Sequence, residues 1–140
     1  MDRPGLERVA ITREAGDAIK AHALEARPEE CCGLLAGDGD VISAVYRLRN
    51  EADRPETRYF AAPEDLFAAM KAMRQGGLEM MGIYHSHPNS AAYPSKSDVE
   101  LAFYSDCVYF IASLAGDFEM CAFRINNGIV SRVEIAINGS

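Results

Sequence analysis

No apolar run in this sequence approaches the ~18–20 residues that a membrane-spanning helix needs, which argues against an integral membrane protein. Positive charge is also scarce: 14 Lys and Arg stand against 21 Asp and Glu, a net charge of −7. The basic field with which a nucleic-acid binder neutralises phosphates is therefore missing at the level of the whole chain, and the acidity reads as solubility. The segment Met1-Asp2-Arg3-Pro4-Gly5 runs straight into mixed charge, without the apolar core of a signal peptide, so the expected location is cytoplasmic. Four cysteines are present, Cys31, Cys32, Cys107 and Cys121, but no CxxC pair, which speaks against a four-thiolate zinc site. In a cytosolic chain such thiols are small buried hydrophobes or metal ligands rather than a disulfide framework. Repeats, low-complexity segments and an interdomain linker are lacking too.

What is there fits one ordinary globular domain: 140 residues, 49 % apolar and 25 % charged. Arg8–Ile11 reads as a short strand, and Thr12 can cap a helix running through Ala15, Ala18, Ile19, Ala21, Ala23 and Leu24, which Pro28 ends. Cys31–Ala36 is continuously apolar, as a buried strand would be; Gly37–Asp40 turns the chain and Val41–Leu48 returns as its partner. Asn50–Ala62 is a polar loop. Pro63-Glu64-Asp65 opens a second helix with an apolar stripe of Leu66, Phe67, Met70 and Met73, expected to pack in the core, and Gly76-Gly77 stops it. Leu78–Tyr84 is the next strand, bounded by Pro88, and Ser97-x-x-Glu100 has the form of a capping box starting a short helix. Cys107–Leu114 is β-prone, and Asp117–Ile125 and Ile129–Ile137 form a hairpin across Asn126-Asn127-Gly128. The reading is an α/β domain spanning 1–140, with a mixed, mostly antiparallel sheet of about six to seven strands, two longer helices and one short helix.

Chemistry concentrates in Gly82-Ile83-Tyr84-His85-Ser86-His87-Pro88 and Ser95-Lys96-Ser97-Asp98. Alternate residues of a strand face the same way, so His85 and His87 share a side, their Cα atoms roughly 6.5–7 Å apart. Two imidazoles so placed can converge on one zinc ion. A carboxylate returning at Asp98 would complete three protein ligands and leave a fourth position open, as catalytic zinc sites do. Plainer readings exist for each piece: a chance pair of surface imidazoles, an aspartate favouring a helix N-terminus, and Ser95 or Ser97 as a simple N-cap.

His85-x-His87-Pro88, six residues, then Ser95-x-x-Asp98 resembles the signature of the JAMM (MPN-domain) metallopeptidases, and Pro28-Glu29-Glu30-Cys31-Cys32-Gly33 resembles its upstream element. The likeness runs over nearly the whole chain. It implies the MPN, cytidine-deaminase-like, fold. It implies one Zn2+ per chain held by His85, His87 and Asp98, with Glu30 as general base and Ser95 as donor to the developing oxyanion. Strand alternation cannot choose between Glu29 and Glu30; the family's Pro-x-Glu-x-Cys-Gly spacing chooses Glu30. The compact chain, without long insertions, is similar to members that act on ubiquitin-like sulfur carrier proteins, cutting an amide bond after a C-terminal Gly-Gly. Such a tail is expected to add to a sheet edge. No nucleic-acid or membrane partner is implied, and the motif names no particular carrier, released residue or oligomeric state. The rivals are a deubiquitinase-like isopeptidase, a non-catalytic MPN scaffold, against which the filled ligand positions speak, and a RadC-like, DNA-associated protein, against which the acidity speaks.

Among other residues, His22 reads as solvent-facing and Cys107 and Cys121 as core thiols. Cys32 shares a face with Glu30 and so lies near the site. Arg47, Arg49, Arg54 and Arg58, interleaved with Glu51, Asp53 and Glu56, read as a solvated loop, or as a docking edge for an acidic tail.

Overall fold

The computed structural model describes residues 7–138, so the N-terminal segment behind the cytoplasmic expectation lies outside them. The elements follow in the order β1 (Arg8–Thr12), α1 (Arg13–Ala26), β2 (Cys32–Gly37), β3 (Val41–Leu48), α2 (Pro63–Gln75), β4 (Glu79–His87), α3 (Lys96–Glu100), β5 (Val108–Ser113), β6 (Glu119–Asn126) and β7 (Ile129–Asn138). Thr12 caps α1, its side-chain oxygen accepting from the Ala15 N–H. Asn127 and Gly128 take positive φ, 51° and 80°, as the type I′ turn of the β6–β7 hairpin requires.

The strands close into a barrel in the order β1-β3-β2-β4-β5-β6-β7, and β7 pairs back onto β1. The mixed character matches expectation, but antiparallel pairing is less dominant than expected: β1–β3, β1–β7 and β4–β5 are parallel. Closure left no local sign in the sequence because β1 pairs with segments remote in the chain, residues 41–42 and 134–138.

Two apolar clusters lie on the two faces of this sheet. Ala15, Ile19 and Ala23 of α1 pack with Leu35, Ile42, Tyr84 and Phe110. Ala69 and Met73 of α2 pack with Cys32, Leu34, Ile83 and Phe123. β2 is buried on both faces along its whole length, which is why it reads as an unbroken apolar run. Cys107 and Cys121 are buried core thiols, as expected. Phe67 is not in the core; it is 75 % exposed, because the buried stripe of α2 passes through Ala69 and Met73 instead.

His22 also departs from the solvent-facing reading. It is half-buried, its Nδ1 hydrogen-bonded at 2.7 Å to the hydroxyl of the fully buried Tyr84. Tyr84 lies across Gly33, its partner on β2, and a methyl group at Gly33 would collide with the phenol ring. Of the four arginines, Arg47 and Arg49 form exposed ion pairs, Arg47 with Glu25 on α1 and Arg49 with Glu64 and Asp65 on α2. Exposed pairs of this kind contribute little to stability.

Two outcomes follow for stability. Gly33→Ala should lower stability by roughly 1–3 kcal/mol through overpacking against Tyr84, measured by thermal or urea unfolding; a neutral substitution would contradict the packing described. Burial, then the nearby Arg47 charge, push the His22 pKa down from 6.5 to about 4, with Glu25 opposing. The unfolded chain therefore takes up a proton that the fold refuses, so this contribution is present above pH 6.5 and is lost as pH falls toward 4. Between those values the stability of His22→Gln should fall less steeply than that of the wild type; parallel slopes would contradict the burial.

Candidate metal centre

β4 extends through His87, which places His85 and His87 on one face, 1 % and 3 % exposed. Ser86, on the other face, binds the residue just before β2: its N–H donates to Cys31 O at 3.1 Å, and its Oγ accepts from the Cys31 N–H at 2.8 Å. Cys32 stands opposite His85 in this register. Glu30, two residues before Cys32, lies within electrostatic reach of both His87 and Asp98. Glu30 is buried at 5 % exposure, while Glu29 is exposed.

Asp98 arrives from α3. The cap of this helix is not Ser97 but Ser95, whose Oγ accepts from the Asp98 N–H, while Asp98 Oδ2 accepts from the Ser95 N–H at 2.8 Å. This reciprocal box fixes the carboxylate, and its Oδ2 stands 3.1 Å from His85 Nε2 and 3.0 Å from His87 Nε2. The two Nε2 atoms are 3.1 Å apart. His87 Nδ1–H donates to Ala91 O at 2.8 Å, which turns its Nε2 lone pair toward the group.

Three donor atoms thus form a buried triangle with edges of 3.0–3.1 Å. A tetrahedral zinc with ligands at about 2.0–2.1 Å separates those ligands by about 3.3 Å, close to these edges. The donor set, two imidazole nitrogens and a carboxylate oxygen, suits a borderline cation. Glu30 Oε1 and His85 Nδ1 are buried without a hydrogen-bond partner among the described residues. An unpartnered buried carboxyl oxygen beside a donor triangle is what a site built to receive further groups leaves open.

The electrostatics agree. Burial pushes the Glu30 carboxyl up to about 8, the His87 charge works against this and Asp98 adds to it. Burial alone would raise Asp98, but hydrogen bonds from His85 and His87 outweigh it and hold this carboxyl well below the usual range. Burial lowers the basicity of His85.

The structure thus brings His85, His87 and Asp98 into one group that could hold a metal ion, with Glu30 in electrostatic reach of His87 and Asp98 and Ser95 bonded to Asp98. Cys32 is close by but outside that group; its Sγ donates to Leu48 O at 3.8 Å, and burial pushes its pKa up to about 12, as for an inert thiol. Two neighbours went unread in the sequence. Tyr59, from the polar loop, stacks on His85 with ring centroids 4.6 Å apart. Ser113 of β5 donates to Ser90 O at 2.7 Å and so ties down the loop that carries Ala91. Only an aromatic inside an otherwise polar loop could have signalled the first; nothing local signals the second. A cleft of about 310 Å³ opens beside Asp98, lined also by Arg58, Tyr59, Phe60, Ser97 and Leu101.

Residues 12–126 match the family described as prokaryotic homologs of the JAB domain. The chain is 36 % identical over 115 residues to the desampylase of Haloferax volcanii, covering 78 % of this chain and 83 % of that one. It is 31 % identical over 139 residues to the CysO-cysteine peptidase of Mycobacterium bovis, covering 96 % and 95 %. A protein from Desulfitobacterium hafniense, known from its solution structure, superposes with a TM-score of 0.85 at 36 % identity, over 94 % of each chain. The closed barrel, the donor triangle at the end of β4 and these likenesses have one common source: the chain belongs to the prokaryotic JAB-domain family, with the MPN/JAB α/β fold.

Proposed function

We propose that the protein is a zinc-dependent hydrolase of the JAMM type that cuts the amide bond after the C-terminal Gly-Gly of a ubiquitin-like sulfur carrier protein. The observation that carries this reading is the buried triangle of His85 Nε2, His87 Nε2 and Asp98 Oδ2 beside an unpartnered Glu30 carboxyl. These three residues would hold one zinc per chain. When bound, zinc lowers the pKa of water toward neutrality and polarises the carbonyl under attack.

The remaining work falls to the chain's own groups. Glu30 takes the proton of the attacking water and returns it to the leaving amine, a role typically contributing ~10²–10⁴-fold. Without a cation, burial pushes this carboxyl up to about 8; a positive charge in the triangle favours the ionised form a base requires. Ser95 Oγ already accepts from the Asp98 N–H, so its own hydrogen is free to donate to the carbonyl oxygen as charge develops there.

Two features support the substrate. The relatives described above carry the names desampylase and CysO-cysteine peptidase, which agree with cleavage at the tail of a ubiquitin-like protein. Among the described residues the one long connection, residues 49–62 between β3 and α2, packs against the site, and the other connections are short, which leaves no further segment to grip a folded ubiquitin chain. The sheet closes through only two residue pairs between β1 and β3, Ala10–Val41 and Ile11–Ile42, so the later part of β3 keeps an edge to which an extended tail can add, as expected of it. The cleft between Tyr59 and α3 lies beside Asp98, where glycines can approach the metal closely because they carry no side chain.

Zinc added to metal-free wild type should raise the unfolding midpoint, by about 2.7 kcal/mol of stability at a hundredfold excess over Kd, and should leave His87→Ala unmoved. Equal responses of the two proteins would remove the metal assignment. The catalytic reading is checked by mass spectrometry of a sulfur carrier extended past its Gly-Gly. The zinc-loaded wild type and Glu29→Gln should release the extension, and Glu30→Gln should keep its zinc while losing ~10²–10⁴-fold in rate. Intact carriers beside efficiently cut ubiquitin chains would overturn the substrate class.

A further inference from the structure

The loop of residues 50–62 has no regular structure beyond a single bridge between Asn50 and Ala61. It nevertheless supplies two things to the site: the Tyr59 ring against His85, and the Pro55 carbonyl that accepts from the Glu30 N–H at 2.7 Å. Asn50 stands where both are fastened. We infer that Asn50 is a positioning residue of this site, its side-chain amide clamping the loop to the backbone of Glu30 and so aiming the Glu30 carboxyl and the Tyr59 ring.

The hydrogen-bond inventory carries the argument. A primary amide has two N–H hydrogens and one oxygen with two lone pairs. Asn50 uses all of them: Nδ2 donates to Glu30 O at 3.0 Å and to Arg58 O at 2.9 Å, with Pro55 O sharing at 3.5 Å. Its Oδ1 accepts from the N–H groups of Ala52 and Phe60, both at 3.0 Å. Both polar backbone groups of Glu30 are therefore held by this arrangement, the N–H by Pro55 and the C=O by Asn50. Glu30 precedes β2, which begins at Cys32, so the regular strand does not include it. Its carboxyl Oε1 has no partner of its own among the described residues. The direction of that carboxyl is thus inherited from its backbone, and the backbone from Asn50. The bonds to Arg58 O and the Phe60 N–H bracket Tyr59 from both sides in the same way.

This inference rests on Glu30 being the base, and the test separates the two. Asn50→Asp has the same shape and keeps the oxygen that holds Ala52 and Phe60, but loses the N–H donors to Glu30 and Arg58; Asn50→Ala loses everything. Both are compared with Glu30→Gln and with the double variants, as full-length, zinc-loaded protein acting on a carrier extended past Gly-Gly. Both Asn50 variants should keep wild-type zinc content, and a change in KM reports the Tyr59 ring that borders the cleft. Their kcat should fall by about 10–10²-fold, the scale of a misplacement near 1 Å. Introduced into Glu30→Gln, either change should cost kcat no more than about twofold, because the carboxyl it aims is already gone and the Tyr59 ring, which borders the cleft, acts on KM.

A second readout needs no substrate. Amide hydrogen exchange of Asn50→Asp should quicken at Glu30 by about tenfold or more, while β5 and β6 keep their protection. Should Asn50→Ala not fold, Asn50→Asp decides. Wild-type kcat in that variant, an undiminished loss in the Glu30→Gln background, or an unchanged Glu30 amide would overturn the role of Asn50. Wild-type kcat in Glu30→Gln would overturn the base itself, and is read independently of any Asn50 variant.

Discussion

The pairing of β2 with β4 is the constraint on which the site depends. Side chains alternate across a strand, so a slip of one residue would turn Glu30 away from His87 and carry Cys32 away from His85. Several unrelated interactions hold the register. Ser86 binds Cys31 through both its N–H and its Oγ. Tyr84 fits across Gly33 because that position has no Cβ, and its hydroxyl is anchored on His22 of α1. The residues between and before the histidines are therefore packing devices, and together with the bonds of Pro55 and Asn50 to the Glu30 backbone they set where that carboxyl lies.

A second constraint is electrostatic. Two imidazole nitrogens and a carboxylate oxygen, mutually 3.0–3.1 Å apart and buried, gather lone pairs that only a proton or a cation can reconcile. The fold holds them with bonds made elsewhere: Asp98 by the cap of α3, His87 by Ala91, and the Ala91 loop by Ser113. Function and local stability oppose each other at such a place, since the groups are arranged for what they will bind rather than for one another.

Much of this was legible in the sequence because local rules governed it. Thr12, Pro63-Glu64-Asp65 and Asn127-Gly128 announce helix starts and a hairpin, and each does so where the structure has one. The His85-x-His87 alternation placed both rings on one face, and Ser95-x-x-Asp98 brought the third group to them, though the helix cap falls on Ser95 rather than Ser97. That Glu30 is buried and Glu29 exposed was not readable from strand parity, which carries no information about which side of the chain meets β4. Closure of the barrel, the stacking of Tyr59 and the partnership of His22 with Tyr84 join residues far apart in the chain, so no short window records them. Phe67 misled because helical spacing reports which residues share a stripe and leaves open how much of that stripe is covered.

The most direct test of this account is a crystal structure of the zinc-soaked protein, with anomalous diffraction measured at the zinc edge. The account predicts one strong peak per chain, held on the protein side by His85 Nε2, His87 Nε2 and Asp98 Oδ2 alone, with the Glu30 carboxyl nearby but not coordinated. A peak elsewhere, or Glu30 among the ligands, would contradict it.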